Sequence, residues 1–219
     1  TLAAVIVEPV AFAGGVVVPP PGFLAMLSEL CRAHELLLIV DEVINGFGRS
    51  GAFFAFQHEP GVRPDIVTMG KGITSAYYPL SATAVDERIF ATFRVPGQAM
   101  SKVITMAGHP VGCDVALKVL EIMDRDGLVS RARHNAERHL SGLLALRGTP
   151  GLRDVRGLGH MWGLEFDSEA AAEAVDRHCL DAGILLLRAG NQIRINPPLV
   201  ASEEELALLV ATLRAAIIG

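Results

Sequence analysis

The chain of 219 residues is long enough for one large domain or two modest ones, and 51% of its residues are hydrophobic, which is enough for an extensive core. The net charge of −5 and the lack of a basic run argue against nucleic-acid binding. No apolar stretch is long enough to cross a bilayer and no signal-peptide pattern is present, so we expect a cytoplasmic protein without a membrane partner. Cys31, Cys113 and Cys179 lie far apart, which indicates reduced thiols rather than disulfides or a metal site.

The chain opens on an apolar run, LAAVIVEP, at residues 2–9. Because termini are usually polar and loose, a strand at the very start predicts that a region upstream is absent. A processed N-terminus is the alternative.

The first half alternates strand and helix patterns. Prolines followed by apolar residues at helical spacing predict a helix that starts near Phe23. Strands are predicted by short apolar runs at 2–7, 36–40, 66–69 and within 79–85.

The second half changes character after residue 150. A helical pattern runs from Pro110 to about Leu146, and Asp126-Gly127 predicts a break within it. Ser202 with Glu205 resembles the capping box of a last helix. Strands are predicted at 152–156, 161–166, 184–187 and 192–195, and a helix at 168–182. We therefore predict an α/β fold with a mostly parallel sheet in residues 1–110, connecting helices in 111–149 and a small α+β domain in 150–219.

Three predicted strands end in polar residues. Glu8 follows the first, Asp41 follows LLLIV, and Lys71 comes just after DIVTM. Ligands of open α/β sheets bind beyond the carboxyl ends of the strands, so these residues predict an anion and a nucleophilic amine facing one pocket. Taken singly, Asp41 could cap a turn and Lys71 could be a surface lysine.

Lys71 lies between two glycines in GKGITS, which raises the possibility of a phosphate-binding loop. A P-loop requires GxxxxGK followed by Ser or Thr, whereas Gly72 follows Lys71 here. The sequence therefore argues against a P-loop.

At this point several motifs together resemble the class III aminotransferases, which are pyridoxal-phosphate enzymes of fold type I. The resemblance covers nearly the whole chain, which looks like the ω-amino acid:pyruvate branch. It implies a protein about twice as long, of which this chain is the C-terminal half, with an incomplete large domain. The motifs, in order, are EPV…GG…PPPGFL, LLLIVDEVINGFGRSG, RPDIVTMGKGITSAYYPLSA, AGHP and IRINPPL.

The resemblance assigns three residues to the cofactor, pyridoxal 5'-phosphate. Asp41 would pair with the pyridine nitrogen and keep it protonated, so that the ring acts as an electron sink. Val43 would pack against the ring. Lys71 would bind the cofactor covalently, which requires a neutral amine, and would then carry the proton during the reaction.

Two further residues are implied at the cofactor. Thr105 in VITMAGHP matches a threonine that reaches the cofactor phosphate of the neighbouring subunit, which implies a homodimer with shared active sites. Alternatively, Thr105 could end a strand and form a hydrogen bond with its own backbone. Glu8 matches a glutamate near the cofactor and is expected to give a supporting hydrogen bond.

Arginines of the last domain are implied to bind the substrate. Arg194 in IRINPPL matches the arginine that grips a substrate carboxylate, and Arg188 lies near a second arginine used in ω-amine branches. Each could instead be a surface arginine. Phe12 and Ala13 stand where the 4-aminobutyrate and ornithine branches have Gly and Glu, and Ile44 stands where they have Gln. These departures argue against those substrates. Phe12 is expected to fill part of the substrate pocket, and its alternative is an ordinary packing role.

The resemblance implies a transaminase that moves an amino group from a donor (an ω-amino acid, β-amino acid or amine) to a keto acid such as pyruvate. A dialkylglycine-decarboxylase-like enzyme or an aminomutase would use the same lysine. A third hypothesis is an inactive or truncated fragment that needs an N-terminal half.

Overall fold

The computed structural model describes residues 2–98, 100 and 104–219, which group by their contacts into two units. The first unit comprises residues 1–9, 20–47 and 56–126. The second unit comprises residues 10–19, 48–55 and 127–219. The predicted division into three parts, with limits at residues 110 and 150, stays a prediction. The contacts follow a different grouping, because residues 10–19 and 48–55 belong to the second unit.

The first unit contains the strands β1 (Ala4–Val7), β2 (Leu37–Asp41), β3 (Ile66–Met69) and β4 (Ala82–Val85). They form a four-stranded sheet in the order β1-β2-β3-β4. The first three strands are parallel and β4 is antiparallel to β3. In β2, Leu38 and Val40 are buried whereas Leu37 and Ile39 are half-buried, so one face of the sheet carries the core of this unit.

Helix α1 (Phe23–Ala33) packs its apolar side on this sheet, where Leu24 and Cys31 meet Leu38 and Val40. Its amino end has no capping side chain of its own. Instead, the carboxylate of Glu59 accepts hydrogen bonds from the backbone N–H groups of Gly22 and Ala25, at 3.0 and 2.7 Å. A remote carboxylate thus satisfies the exposed donors of the first turn.

Two more α-helices lie in the described part of the first unit. The short helix α2 (Glu87–Phe90) is capped by Asp86, and α3 (Pro110–Arg125) begins directly after His109. Proline at the first helical position has no N–H to leave unsatisfied, so the HP pair marks this helix start.

The elements of the second unit are α4 (Leu128–Arg138), a 3₁₀ segment (Leu140–Leu146), β5 (Leu152–Leu158), β6 (Met161–Phe166), α5 (Glu169–Asp181), β7 (Leu187–Ala189), β8 (Gln192–Ile195) and α6 (Glu203–Ile218). Its strands form an antiparallel sheet in the order β5-β6-β8-β7, and the core lies between this sheet and the helices. The predicted break at Asp126-Gly127 separates α3 from α4, and the predicted capping box at Ser202 is present.

The strand predicted at 184–187 is displaced, because β7 covers Leu187–Ala189. Ile184 and Leu186 pack against the core of the second unit from an irregular segment, so their apolar character reflects packing rather than sheet pairing. Cys31, Cys113 and Cys179 are free thiols in the structure. Among the described residues, no helix has the length and hydrophobicity needed to span a membrane.

Candidate functional site

The carboxyl ends of β1, β2 and β3 meet at one edge of the first unit's sheet. Val7 is level with Val40, so Glu8 and Asp41 follow at the same height on neighbouring strands. Asp41 is level with Thr68, two residues before Gly70. These three strand ends therefore lie at one edge of the sheet, and their sharing of one pocket stays a prediction.

Asp41 is held by one of its two carboxylate oxygens. Oδ1 accepts a hydrogen bond from the backbone N–H of Val43 at 3.0 Å and another from the hydroxyl of Thr68 at 3.0 Å. Within the described part of the chain, no donor contacts Oδ2. The carboxylate is thus oriented by its own strand and by β3, with its second oxygen available for a cationic partner.

Lys71 begins a 3₁₀ turn (Lys71–Ile73) immediately after β3, with its side chain exposed. Its φ of 38° is unusual for a residue with a side chain, and such strain concentrates at functional sites. A Cβ on Gly70 would make an ordinary contact, 3.4 Å from Val43 Cγ1, whereas a Cβ on Gly72 would lie 3.0 Å from Phe47 Cβ. Close packing therefore disfavours a side chain at Gly72.

A small polar cluster follows the lysine turn. The buried hydroxyl of Thr74 donates to the backbone oxygen of Tyr78 at 2.6 Å. The Tyr78 hydroxyl lies 3.1 Å from Nδ1 of His109, and the two rings stack with centroids 5.6 Å apart. Since Gly112 leaves room for the Tyr78 ring, this cluster fixes the start of α3 to the segment that follows Lys71.

The structure does not test the predicted cofactor contacts of Thr105 and Glu8. Thr105 lies in an exposed turn, and its side chain forms no hydrogen bond with any described residue. Glu8 is half-buried directly after β1. A phosphate contact to a neighbouring subunit, as expected for Thr105, would require that subunit.

In the second unit, Arg194 lies in the middle of β8, paired with Gly163 on β6 and Leu187 on β7. Its guanidinium carbon is 5.7 Å from the centre of the Phe12 ring. Its Nε is buried, and no described residue accepts a hydrogen bond from it. Two residues from opposite ends of the chain, both predicted to bind substrate, are therefore brought together.

Arg188 is not brought to Arg194. It pairs with Ile193 in the β7–β8 ladder, and Ile193 faces the core. Its Nε lies 3.7 Å from Asp176 of α5. Because neighbouring residues of a strand point to opposite faces, Arg188 and Arg194 lie on different sides of the sheet. Its assignment to the substrate remains a prediction that this geometry does not support.

Arg49 of the FGRSG motif holds the loop that follows β8. Its guanidinium donates to the backbone oxygen of Pro197 at 2.6 Å and to Oδ1 of Asn196 at 3.2 Å. Burial lowers the pKa of this group below its ordinary value. Arg49 thus fixes the segment that begins two residues after Arg194.

The family model for class-III aminotransferases matches residues 1–217. The chain belongs to the class III aminotransferases.

Curated class III relatives from several organisms resemble this chain. An uncharacterized aminotransferase, YhxA, of Bacillus subtilis is 40% identical over 232 residues, which cover 98% of this chain and 51% of the relative. An acetylornithine aminotransferase of Methanothermobacter thermautotrophicus is 42% identical over 213 residues, covering 96% of this chain and 53% of the relative. An omega-aminotransferase of Caulobacter vibrioides is 37% identical over 221 residues, covering 97% of this chain and 50% of the relative. The chain spans about half the length of these curated relatives.

A solved aminotransferase structure from Bacillus anthracis superposes with a TM-score of 0.93 at 36% identity, covering 99% of this chain and 52% of that one. The predicted fold class, α/β with a mostly parallel sheet and a smaller α+β part, is confirmed.

Sequence reasoning missed Thr68 and Tyr78 in this class III chain. Thr68 lies inside β3, where a threonine is common for its β-branched shape and gives no local sign of a partner. The one available signal was its position, three residues before Lys71 on the strand next to Asp41. Tyr78 lies within the quoted motif but carries no recognisable spacing.

Proposed function

We propose that this protein takes part in pyridoxal-phosphate-dependent transamination, in which an amino group passes from a donor to a keto acid such as pyruvate. The observation that carries the proposal is the edge of the first sheet. There the anchored carboxylate of Asp41 and the glycine-flanked Lys71 follow adjacent parallel strands.

The residues at this edge fit the cofactor. Asp41 has one oxygen oriented by two donors and a second oxygen open, as a partner for a protonated pyridine nitrogen requires. Val43 is half-buried against Gly70, beside the lysine. When bound, pyridoxal 5'-phosphate supplies an electron sink for the carbanion formed at the substrate carbon. Asp41 would keep the ring nitrogen protonated, and Lys71 would take the proton from the substrate and return it.

Arg194 is proposed to bind the carboxylate of the donor and of the keto acid in a bidentate pair. Its buried, unbonded Nε supports this role, since a guanidinium without a protein acceptor is stabilised by an anion. The omega-aminotransferase of Caulobacter vibrioides supports an ω-amino donor. The acetylornithine aminotransferase is 42% identical to this chain and the omega-aminotransferase 37%, so overall identity does not favour either donor. The choice of an ω-amino donor therefore relies on Phe12, Ala13 and Ile44, which depart from the ornithine-type motif.

The complete protein is proposed to be a cytoplasmic homodimer with shared active sites, in which Thr105 contacts the cofactor phosphate and Glu8 gives a supporting hydrogen bond. The alternative is a fragment that needs an N-terminal half. It is favoured by the half-length match and by β1, an edge strand of the described sheet whose Ile6 is 63% exposed.

Borohydride trapping tests the proposal directly. Purified protein is mixed with pyridoxal 5'-phosphate and reduced, and the modified peptide is identified by mass spectrometry. We expect a pyridoxyl group on Lys71 and none on Lys118, an exposed lysine paired with Glu121. Labelling that spreads evenly over the lysines, in the presence of any N-terminal half, contradicts the proposal.

Product analysis separates the transaminase from the other enzymes on this scaffold. A transaminase consumes pyruvate and forms alanine in equal amounts without releasing carbon dioxide. A decarboxylase releases carbon dioxide for each turnover, and an aminomutase consumes no keto acid.

A further inference from the structure

The guanidinium of Arg194 rests on an aromatic ring rather than on a carboxylate. Phe12 is 6% exposed, and its ring centre lies 5.7 Å from Arg194 Cζ, within the range of a cation–π interaction. Among the described residues, none forms an ion pair with Arg194. An aromatic face attracts a cation without neutralising it, so Arg194 keeps its full charge for a ligand.

The segment that carries Phe12 is rigidly built. Ala11 and Val17 exchange two backbone hydrogen bonds of 3.0 Å, and the Phe12 carbonyl accepts from the N–H groups of Gly15 and Val16 at 3.1 Å. Val16 is fully buried with a φ of 59°, a conformation that β-branched residues rarely adopt. Such strain persists only where the surrounding structure enforces it.

This loop is fixed to the same strands as Arg194. A Cβ on Gly163, the β6 neighbour of Arg194, would lie 2.5 Å from the carbonyl oxygen of Gly15, so only glycine permits this approach. Arg156 of β5 donates to the same oxygen at 2.9 Å and forms an ion pair with Glu165 at 3.0 Å. The position of Phe12 relative to Arg194 is therefore set by the sheet.

We propose that Phe12 is the positioning residue for Arg194 and determines the substrate class, which is a donor that bears a carboxylate rather than an uncharged amine. The ring holds the guanidinium in place of an acidic protein partner, and a substrate carboxylate then completes the charge pairing. This inference rests on the proposed function, because it takes Arg194 as the group that binds the substrate.

The test uses the full-length protein loaded with cofactor and compares Phe12→Leu with Phe12→Trp. Leucine keeps an apolar side chain without an aromatic face, whereas tryptophan keeps the face. For Phe12→Leu we expect KM for pyruvate and for β-alanine to rise roughly 3- to 30-fold, with kcat within about twofold of the wild type. KM for benzylamine should stay unchanged, and Phe12→Trp should stay close to the wild type.

A purely packing role makes a different prediction. If Phe12→Leu lowers kcat equally for β-alanine and benzylamine, and Phe12→Trp loses as much, the ring face has no part in substrate choice. Unchanged KM values in Phe12→Leu overturn the proposal in the same way.

Binding of propionate, an unreactive carboxylate, keeps this inference separate from the proposed function. Calorimetry should give tighter binding to the wild type than to Phe12→Leu, and no measurable binding to Arg194→Gln. This order supports the role of Phe12 even if no amine and keto acid pair turns over. Equal propionate binding by the wild type and Arg194→Gln overturns the inference, whatever the activity.

Discussion

The polar residues of the first unit and those of the second reach their positions by different means. Asp41 and Lys71 are placed by parallel strands, because Asp41 is the last residue of β2 and Lys71 comes two residues after the end of β3. Arg194 lies inside an antiparallel ladder and acquires its neighbour Phe12 from a loop near the start of the chain. The first arrangement follows from local sequence and topology, whereas the second depends on packing between distant segments.

The largest effect is expected at Lys71, where the first unit carries the proposed chemistry. Lys71→Ala should reduce kcat by about 10³-fold or more, because both covalent binding of the cofactor and proton transfer are lost. Since the side chain is exposed, the melting temperature of the cofactor-free protein should not change. The measurement is steady-state kinetics with thermal unfolding.

Lys118→Ala is the matched control, since Lys118 is an exposed lysine of the same unit. We expect Lys118→Ala to have wild-type activity. Substantial turnover by Lys71→Ala would remove the basis for the proposed function.

In the second unit, we expect the largest effect from a substitution of Gly163, because a side chain there would collide with the backbone of Gly15. Gly163→Ala should lower the free energy of unfolding by about 1–3 kcal/mol, as for other overpacked sites. It should also raise KM for carboxylate substrates, because the loop that carries Phe12 must move. Denaturant unfolding and kinetics measure the two effects.

Gly142→Ala provides the control, because its Cβ would lie 3.9 Å from Val210 Cγ1, an ordinary contact. Equal stability of the two variants would mean that the loop is not held against β6.

A smaller effect is expected at Thr68, which donates to Asp41 Oδ1. Thr68→Val keeps the shape of the side chain and removes the hydroxyl. Hydrogen bonds to charged groups contribute about 1.5–3 kcal/mol, so we expect roughly a tenfold or greater fall in kcat/KM and weaker cofactor binding. Thr68→Ser retains the donor and should stay near the wild type. Equal activity of the valine and serine variants would show that Val43 N–H alone orients Asp41.

These residues also mark how far the sequence could predict the structure. The bounds of β3, β6 and β8 and the cap at Ser202 were predictable, because each depends on a local pattern of apolar residues or capping side chains. The convergence of Asp41 and Lys71 followed from the rule for parallel strand ends.

The contacts between distant segments were not predictable from local patterns. Nothing around Gly163 indicates that Gly15 lies against it, and nothing around Phe12 indicates a cation above its ring. The displacement of β7 has a similar cause, since Ile184 and Leu186 are apolar for reasons of core packing. A single sequence shows which residues are apolar but does not show what covers them.

The smallest expected effect concerns pH and His160, a fully buried residue of the second unit. Burial lowers the pKa of His160 from its ordinary value of 6.5, and the nearby charges of Arg49 and Arg131 lower it further, while hydrogen bonding to Pro197 opposes the shift. The imidazole Nε2 is buried and has no acceptor among the described residues, so protonation in the folded state would create an unpaired charge.

The sign of the pH effect follows from proton binding in the two states. Because the pKa of His160 is lower in the folded protein, the unfolded chain binds a proton at this histidine more readily as the pH falls below about 6.5, so stability should decrease with decreasing pH. One proton gives a slope of at most about 1.4 kcal/mol per pH unit. Denaturant unfolding between pH 7.5 and 5.5 should therefore show a shallower pH dependence in His160→Gln than in the wild type. His178→Gln, which alters an exposed histidine of the same unit, should keep the wild-type slope. An unchanged slope in His160→Gln would mean that this ring binds a proton equally well in the folded and unfolded states, which contradicts its burial.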